Sequence, residues 1–295
     1  MSLTKPPGVL YVVATPIGNL SDMSARAKET LATVDLVLAE DTRVTRTLLA
    51  HLGIQPPTRS LHDHNEAQVA ASLVDLLGRG DSMAIVSDAG TPGVSDPGAR
   101  LVRAALDAGI RVIPIPGASA VIAAMSASGF GGPFLFVGFA PEKETARRKM
   151  LAELRGHPNT MVFYEAPHRV AAMIEDMNAV FGPDRRIVIA RELTKLFEAI
   201  HAMPLGDAPA WIAADPNHAR GELVLVVEGA KVVTDDQRAI DAEDRILTPL
   251  LEALPLSQAV GLAVRITGTR RNILYERALA WRREHRPDDE GTAED

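Results

Sequence analysis

Hydrophobic and polar positions in the first third of the chain switch period at regular intervals. Short apolar runs at 8–14 (GVLYVVA), 35–40 (DLVLAE), 58–63 (TRSLHD), 83–87 (MAIVS) and 111–115 (RVIPI) predict strands. Between them, 24–33, 42–52, 65–77 and 97–108 carry apolar residues at helical spacing, with Gly53 and Gly109 as stops. Strands alternating with helices in this way predict an α/β domain, a parallel sheet covered by helices on both faces, over residues 8–117.

The rhythm changes after a helix at 118–128 (ASAVIAAMSAS). Strand signals at 134–139, 160–166, 186–192, 196–202 and 222–229 are separated by only two helical stretches, 142–154 and 168–180, which predicts a mixed sheet in a second block over 118–230. The link between the blocks is short, so a cleft between them is the natural place for a ligand. Strand patterning stops near Asp235, and 236–286 reads as helical. There Ser257 is placed to cap one helix, Thr267 and Gly268 make a turn, and Thr269 is placed to cap a second, a helix-turn-helix appearance. So small a helical core is expected to dock on the rest of the chain or on a partner. The last residues, 287–295, read as a disordered acidic tail.

Composition narrows the class. With 46% hydrophobic residues in 295, the chain can bury a sizeable core, and its length suits two domains. Residues 112–141 carry no charge, yet prolines and glycines divide them into a strand, a helix and a strand, lengths that suit a buried core and not a membrane span. The opening MSLTKPPG has one lysine and no apolar run, so no secretory signal is expected. The absence of cysteine excludes disulfides, zinc-thiolate sites and thiol nucleophiles, in keeping with a reducing compartment. Net charge is −7, but Arg265, Arg270, Arg271, Arg277, Arg282, Arg283 and Arg286 stand against only Glu276 and Glu284, a basic end on an acidic protein.

The chemistry concentrates at 87–98, SDAGTPGVSDPG, a loop of glycines, prolines and two aspartates that follows a buried strand. Such a loop lies where open α/β sheets bind ligands, and its glycines let backbone come close to them. It has no Walker lysine, and Gly90, Gly93 and Gly98 do not make a dinucleotide fingerprint; the loop after the first strand, VVATPIGNLSD, holds only Gly18. Two such loops without a cation suit a ligand held by backbone groups and one or two carboxylates. Asp88 is therefore expected to meet a positively charged or hydroxyl-rich ligand and not a polyphosphate.

Eight strings occur in order: VVATPIGNLSDMS, LAEDTRVTRTLL, LHDHNE, VSDAGTPGVSDPG, PIPGASA, FYEAPHRV, ARELTK and GELVLVVEG. Together they resemble the tetrapyrrole methylase superfamily over about residues 9–280, and most closely its branch that acts on small-subunit ribosomal RNA. The resemblance implies a two-domain, homodimeric, cytoplasmic enzyme with S-adenosyl-L-methionine in the interdomain cleft. Its implied reaction is methylation of the ribose 2′-hydroxyl of a cytidine in the decoding region of 16S rRNA, on the small ribosomal subunit. Relatives on the same scaffold methylate porphyrin-type rings, so a tetrapyrrole methyltransferase and a non-catalytic RNA-binding or ribosome-assembly module stand as alternatives. Small-molecule relatives tend to carry Gly-Asp-Pro where this chain has Ser87, Asp88 and Ala89, and the basic end also favours the RNA branch.

Matched onto this sequence, the family's cofactor contacts fall on Pro16, Asp88, Thr91, Ser119, Ala120, Tyr164, Leu193 and Glu222. The hydroxyl must also lose its proton, and His62, His64, Glu40, Asp41 and Lys195 are the candidate bases. His62 and His64 are spaced like a metal pair, but no third ligand is evident and no metal is expected. Asn65 is placed either to cap the next helix, with Gln68 completing a capping box, or to touch RNA. Arg43, Arg46, Arg147 and Arg148, with Arg270 and Arg271, make a candidate phosphate-contacting rim. A ribose hydroxyl on a splayed-out nucleotide suits an irregular region of RNA better than a duplex.

Overall fold

The computed structural model describes residues 6–231 and 235–284; the expected acidic tail and the end of the expected helical region, 285–295, lie outside them. Two compact units divide the chain, Met1–Ala230 and Lys231–Asp295.

The first unit opens with β1 (Val9–Val13), α1 (Ala25–Thr33), β2 (Leu36–Ala39), α2 (Thr42–His51), β3 (Thr58–Ser60), α3 (Asp63–Gly78), β4 (Met83–Val86), α4 (Ala99–Asp107) and β5 (Arg111–Ile115). The strands form one sheet in the order β3-β2-β4-β1-β5, every pair parallel. Alternate side chains serve opposite faces: Leu10, Leu38, Met83 and Ile85 pack with α3 and α4, while Val13, Val37, Ala84 and Val86 pack with α1 and α2. Because β4 lies between β1 and β2, the loops leaving the carboxyl ends of these three strands emerge side by side, the arrangement that makes a ligand crevice in such sheets. The buried carboxylate of Glu66 on α3 accepts the Leu101 N–H at 2.9 Å, satisfying one of the orphan donors of α4 and fixing the far end of the 87–98 loop.

After α5 (Ala120–Ser128), a second sheet is built from β6 (Phe134–Phe139), β7 (Thr160–Glu165), β8 (Arg186–Arg191), β9 (Ala199–Pro204) and β10 (Leu223–Val227), in the order β6-β7-β10-β8-β9. Only β6 and β7 run parallel, so the sheet is mixed. One face packs on α6 (Glu144–Leu154), α7 (Val170–Phe181) and α8 (Ala208–Ala214). The other packs Val188, Val224 and Val226 against Val121 and Ala124 of α5 and against Ile17 from the loop after β1, which ties the two sheets together.

Several local expectations change. The strand expected at 196–202 begins at Ala199, because Glu192 and Thr194 take positive φ angles of 52° and 66° and turn the chain, leaving Leu196 and Phe197 exposed. Helix α3 starts at Asp63 and not at 65. Asn65 sits in its first turn, its Oδ1 accepting the His62 N–H at 2.9 Å and its Nδ2 donating to the Ser60 carbonyl, so the box closes between His62 and Asn65 and not between Asn65 and Gln68. Asn65 is thereby engaged in shaping the turn, the capping alternative with His62 as its partner. Helix α8 has no counterpart in the sequence pattern.

Arg147 is also corrected. Its side chain is 7% exposed and its Nε meets Asp176 Oδ2 at 2.6 Å, with Asp176 only 3% exposed. It belongs to the core between α6 and α7, whereas Arg148, half exposed, reaches the same carboxylate from outside at 2.5 Å. Removing one partner leaves a charge buried alone, so Asp176→Ala is expected to lower stability by about 3–5 kcal/mol, measured by urea unfolding. A loss within the scatter of surface substitutions would show that the pair is dispensable.

The second unit contains α9 (Asp235–Ala253), α10 (Leu256–Thr267) and α11 (Arg271–Glu284) around Leu247, Leu251, Val260, Ala263 and Leu274. Helix α10 begins at Leu256 behind Pro255, so Ser257 lies inside its first turn and does not cap it. The Thr269 hydroxyl, in the turn between α10 and α11, donates to Glu243 on α9, and Arg277 on α11 meets the same carboxylate at 2.5 Å. Arg265, Arg270, Arg271, Arg282 and Arg283 are all exposed on this unit.

Candidate active site

Four loops from the carboxyl end of the parallel sheet build one site. Thr15, after β1, exchanges backbone hydrogen bonds with Gly90, after β4, at 2.8 and 3.1 Å, and its hydroxyl donates to the Ser87 carbonyl. Gly90 holds φ at 80°, a conformation that favours glycine, and a Cβ there would stand 3.3 Å from Ile17. The loop after β2 joins through Asp88, whose Oδ1 accepts the Asp41 N–H at 3.0 Å while its own N–H points to Glu40 at 3.4 Å. The loop after β5 joins through the Thr91 hydroxyl, which donates to the Ala118 carbonyl at 3.1 Å.

Between these loops and the second sheet lies a cavity of about 410 Å³. Six of the eight cofactor positions predicted from sequence line it: Asp88, Thr91, Ser119, Ala120, Tyr164 and Glu222. Leu193 is buried in the neighbouring core instead, and Pro16 lines a second depression that shares Asp88 with the first. Ser119 and Ala120 form the start of α5, whose first N–H groups have no intrahelical acceptor and favour negative charge. Glu40, Asp88, Asp96, Glu165 and Glu222 supply carboxylates, Ile17, Val94 and Phe139 supply apolar wall, and among the described lining residues none is Lys or Arg.

The candidate bases separate sharply. Glu40 lines the cavity; burial pushes its carboxyl up, the Asp88 N–H pulls it back, and the charges of Asp88, Asp63 and Asp41 push it up again. Asp41 lies outside the lining and carries a strong pair with Arg43 at 2.5 Å; the Arg43 side chain, then its backbone N–H, hold the Asp41 carboxyl down at about 2, which makes it a poor base. Lys195 is clasped by Glu192 at 2.9 Å and Glu222 at 3.2 Å. Burial works against its ammonium, but these carboxylates outweigh it and hold its pKa above the ordinary lysine value, so Lys195 is a fixed cation that positions Glu222. His62 precedes α3 and His64 lies exposed in its first turn, their rings 6.0 Å apart; neither lines the cavity.

The group that the sequence pattern did not single out is Asp96, the second aspartate of the 87–98 loop. It lines the cavity, and its carboxyl is pushed up to about 6 by burial first and then by the charge of Glu40, against the Ser87 hydroxyl, with Asp88 and Asp63 adding to the rise. The second aspartate was the available signal, but in sequence it reads as the turn before a helix. Beside Ser87 and Asp88 of its own string, the charges that raise it come from Glu40 after β2 and Asp63 on α3, which the string itself does not reveal.

A doubly wound parallel sheet with a mixed sheet closing its carboxylate-lined crevice defines the tetrapyrrole methylase class of fold. The family described as Tetrapyrrole (Corrin/Porphyrin) Methylases matches residues 9–209, and the RsmI C-terminal HTH domain matches 238–282. Solved structures agree in fold: the methyltransferase CobJ, 23% identical, has a TM-score of 0.56 over 76% of this chain and 95% of its own. The uroporphyrin-III-C-methyltransferase from Thermus thermophilus, 20% identical, has a TM-score of 0.54 over 78% of this chain and 98% of its own. Among curated relatives, ribosomal RNA small subunit methyltransferase I of Pseudomonas aeruginosa is 48% identical over 92% of this chain and 97% of its own. That of Escherichia coli O157:H7 is 49% identical over 92% and 95%. The chain belongs to the ribosomal RNA small subunit methyltransferase I family.

Proposed function

We propose that this chain uses S-adenosyl-L-methionine to methylate the ribose 2′-hydroxyl of a cytidine in the decoding region of 16S rRNA, acting in the cytoplasm as a homodimer on the small ribosomal subunit. The observation that carries this reading is the likeness to rRNA methyltransferases over nine-tenths of the chain, through both the cavity and the helical unit. The donor's chemistry fits the cavity. Its sulfonium and ammonium suit a wall of carboxylates without lysine or arginine, its carboxylate suits the start of α5, and its adenine suits the apolar wall. Asp88, Thr91, Ser119, Ala120, Tyr164 and Glu222 would hold it.

When bound, S-adenosylmethionine supplies a methyl group on a sulfonium, the new O–C bond forming as the C–S bond breaks and its electron pair returns to sulfur. The protein's part is to place the ribose oxygen in line and to take its proton. Asp96 is the acceptor, since it faces the cavity, is ionised above about pH 6, and keeps more basicity than an ordinary carboxylate. Glu40 raises that basicity by its charge, and the ion pairs of Asp41 and Lys195 make them less suited to the role.

Purified small subunits lacking the modification and, in a parallel reaction, a porphyrin precursor, each incubated with labelled donor, test the reading. Label on a cytidine ribose supports it, label on a porphyrin precursor replaces it with the small-molecule reaction, and donor binding without transfer leaves a non-catalytic module. Arg270 and Arg271 are assigned to phosphates. Changing both to alanine is expected to weaken subunit binding several-fold and leave donor affinity at the wild-type value in calorimetry. Equal loss of both affinities would refute that division.

A further inference from the structure

We propose that the depression beside the donor cavity, about 440 Å³, receives the nucleobase of the nucleotide being methylated. This rests on the rRNA reading above. The depression is walled by Pro16 and Leu20 from the loop after β1 and by Val44 and Leu48 from α2, with Thr47 and His51 as its polar edges. Val44, Thr47, Leu48 and His51 recur at helical spacing, so they form one face of α2. Leu20 and Val44 are each 44% exposed, which leaves their apolar surface available to a flat ring.

Its position decides the occupant. Among the described residues Asp88 lines both cavities, so a ring seated here has its sugar beside the methyl donor. The walls lack the further carboxylates that fit the donor's cation, whereas apolar sides with a hydroxyl and an imidazole at the rim suit a base. The Thr47 hydroxyl donates to the Arg43 carbonyl at 3.1 Å, and its oxygen remains able to accept from an exocyclic amino group. Arg43, whose guanidinium is paired with Asp41 but whose side chain is 87% exposed, and the exposed Arg46 stand on the adjoining strip of the same helix, where the flanking phosphates of an unstacked nucleotide would lie.

The test uses the full chain carrying Leu20→Ala with Val44→Ala, both at exposed positions, and reads binding to small ribosomal subunits with S-adenosylhomocysteine present. Loss of the wall is expected to weaken subunit binding about tenfold, by analogy with the loss of a stacking platform. The affinity for S-adenosylhomocysteine should stay at the wild-type value, and the slope of log K against log salt should not change. Arg43→Ala with Arg46→Ala should instead reduce that slope by about 0.7 for each phosphate left unneutralised. Wild-type subunit binding in the Leu20 and Val44 double variant, or a matching fall in S-adenosylhomocysteine affinity, overturns the proposal, the second outcome assigning the depression to the cofactor. Because the readout is binding, a wild-type enzyme that transfers no label would sink the functional reading while the depression is still decided.

Discussion

Asp88→Ala is expected to weaken S-adenosylmethionine binding by about 10- to 100-fold, the loss of a hydrogen bond to a charged group inside a cavity. Two effects combine in it. The carboxylate lines the cavity proposed for the donor, and its Oδ1 also ties the β2 loop to the β4 loop through the Asp41 N–H. Asp88→Asn separates them, because its amide oxygen keeps the tie and removes the charge. S-adenosylhomocysteine, whose sulfur is neutral, supplies the second comparison. If Asp88 acts by its charge, the asparagine variant loses more affinity for the sulfonium than for the thioether, and calorimetric titration of both ligands reads the difference. Equal losses for the two would mean that Asp88 only shapes the loops.

What the sequence made legible follows the range of the forces involved. The five parallel strands were readable because each is a short apolar run between helices, and the loops at their ends were readable because glycine and proline mark them. The same local signals misplaced β9, since Leu196 and Phe197 are apolar but follow residues whose positive φ angles turn the chain to solvent. Charge was the least legible property. Arg147 looks like its neighbour Arg148 in a charged helix, and only α7, which brings Asp176 against it, makes one a core residue and leaves the other half exposed. Lys195 and Asp41 were eligible as bases by residue type, and their ion-pair partners lie beyond what residue type shows: Arg43 two residues along for Asp41, and the carboxylates Glu192 and Glu222 for Lys195.

Asp96 reverses that pattern, because burial and distant carboxylates make it more basic, and it carries the largest expected effect. Asp96→Asn should slow methyl transfer by about 10²- to 10⁴-fold, the usual worth of a general base, while donor affinity changes only a few-fold. In the wild type, kcat/KM should fall on the acid side with a midpoint near pH 6, where the carboxyl takes up its proton, and the variant should lose this limb. With donor saturating, a sulfonium held in the same cavity would favour the ionised carboxyl, so the midpoint should move lower. The same group bears on stability with the opposite sign. Its folded pKa lies above its unfolded value, so the folded state binds the extra proton and stability declines as pH rises from the ordinary carboxylate range through about 6. Asp96→Asn should therefore raise the melting temperature at pH 8 and lose that advantage towards pH 4. A variant both slower and more stable above pH 6 is the expected signature of a carboxylate kept for its chemistry. A variant that is slower and less stable at pH 8 would mark Asp96 as structural.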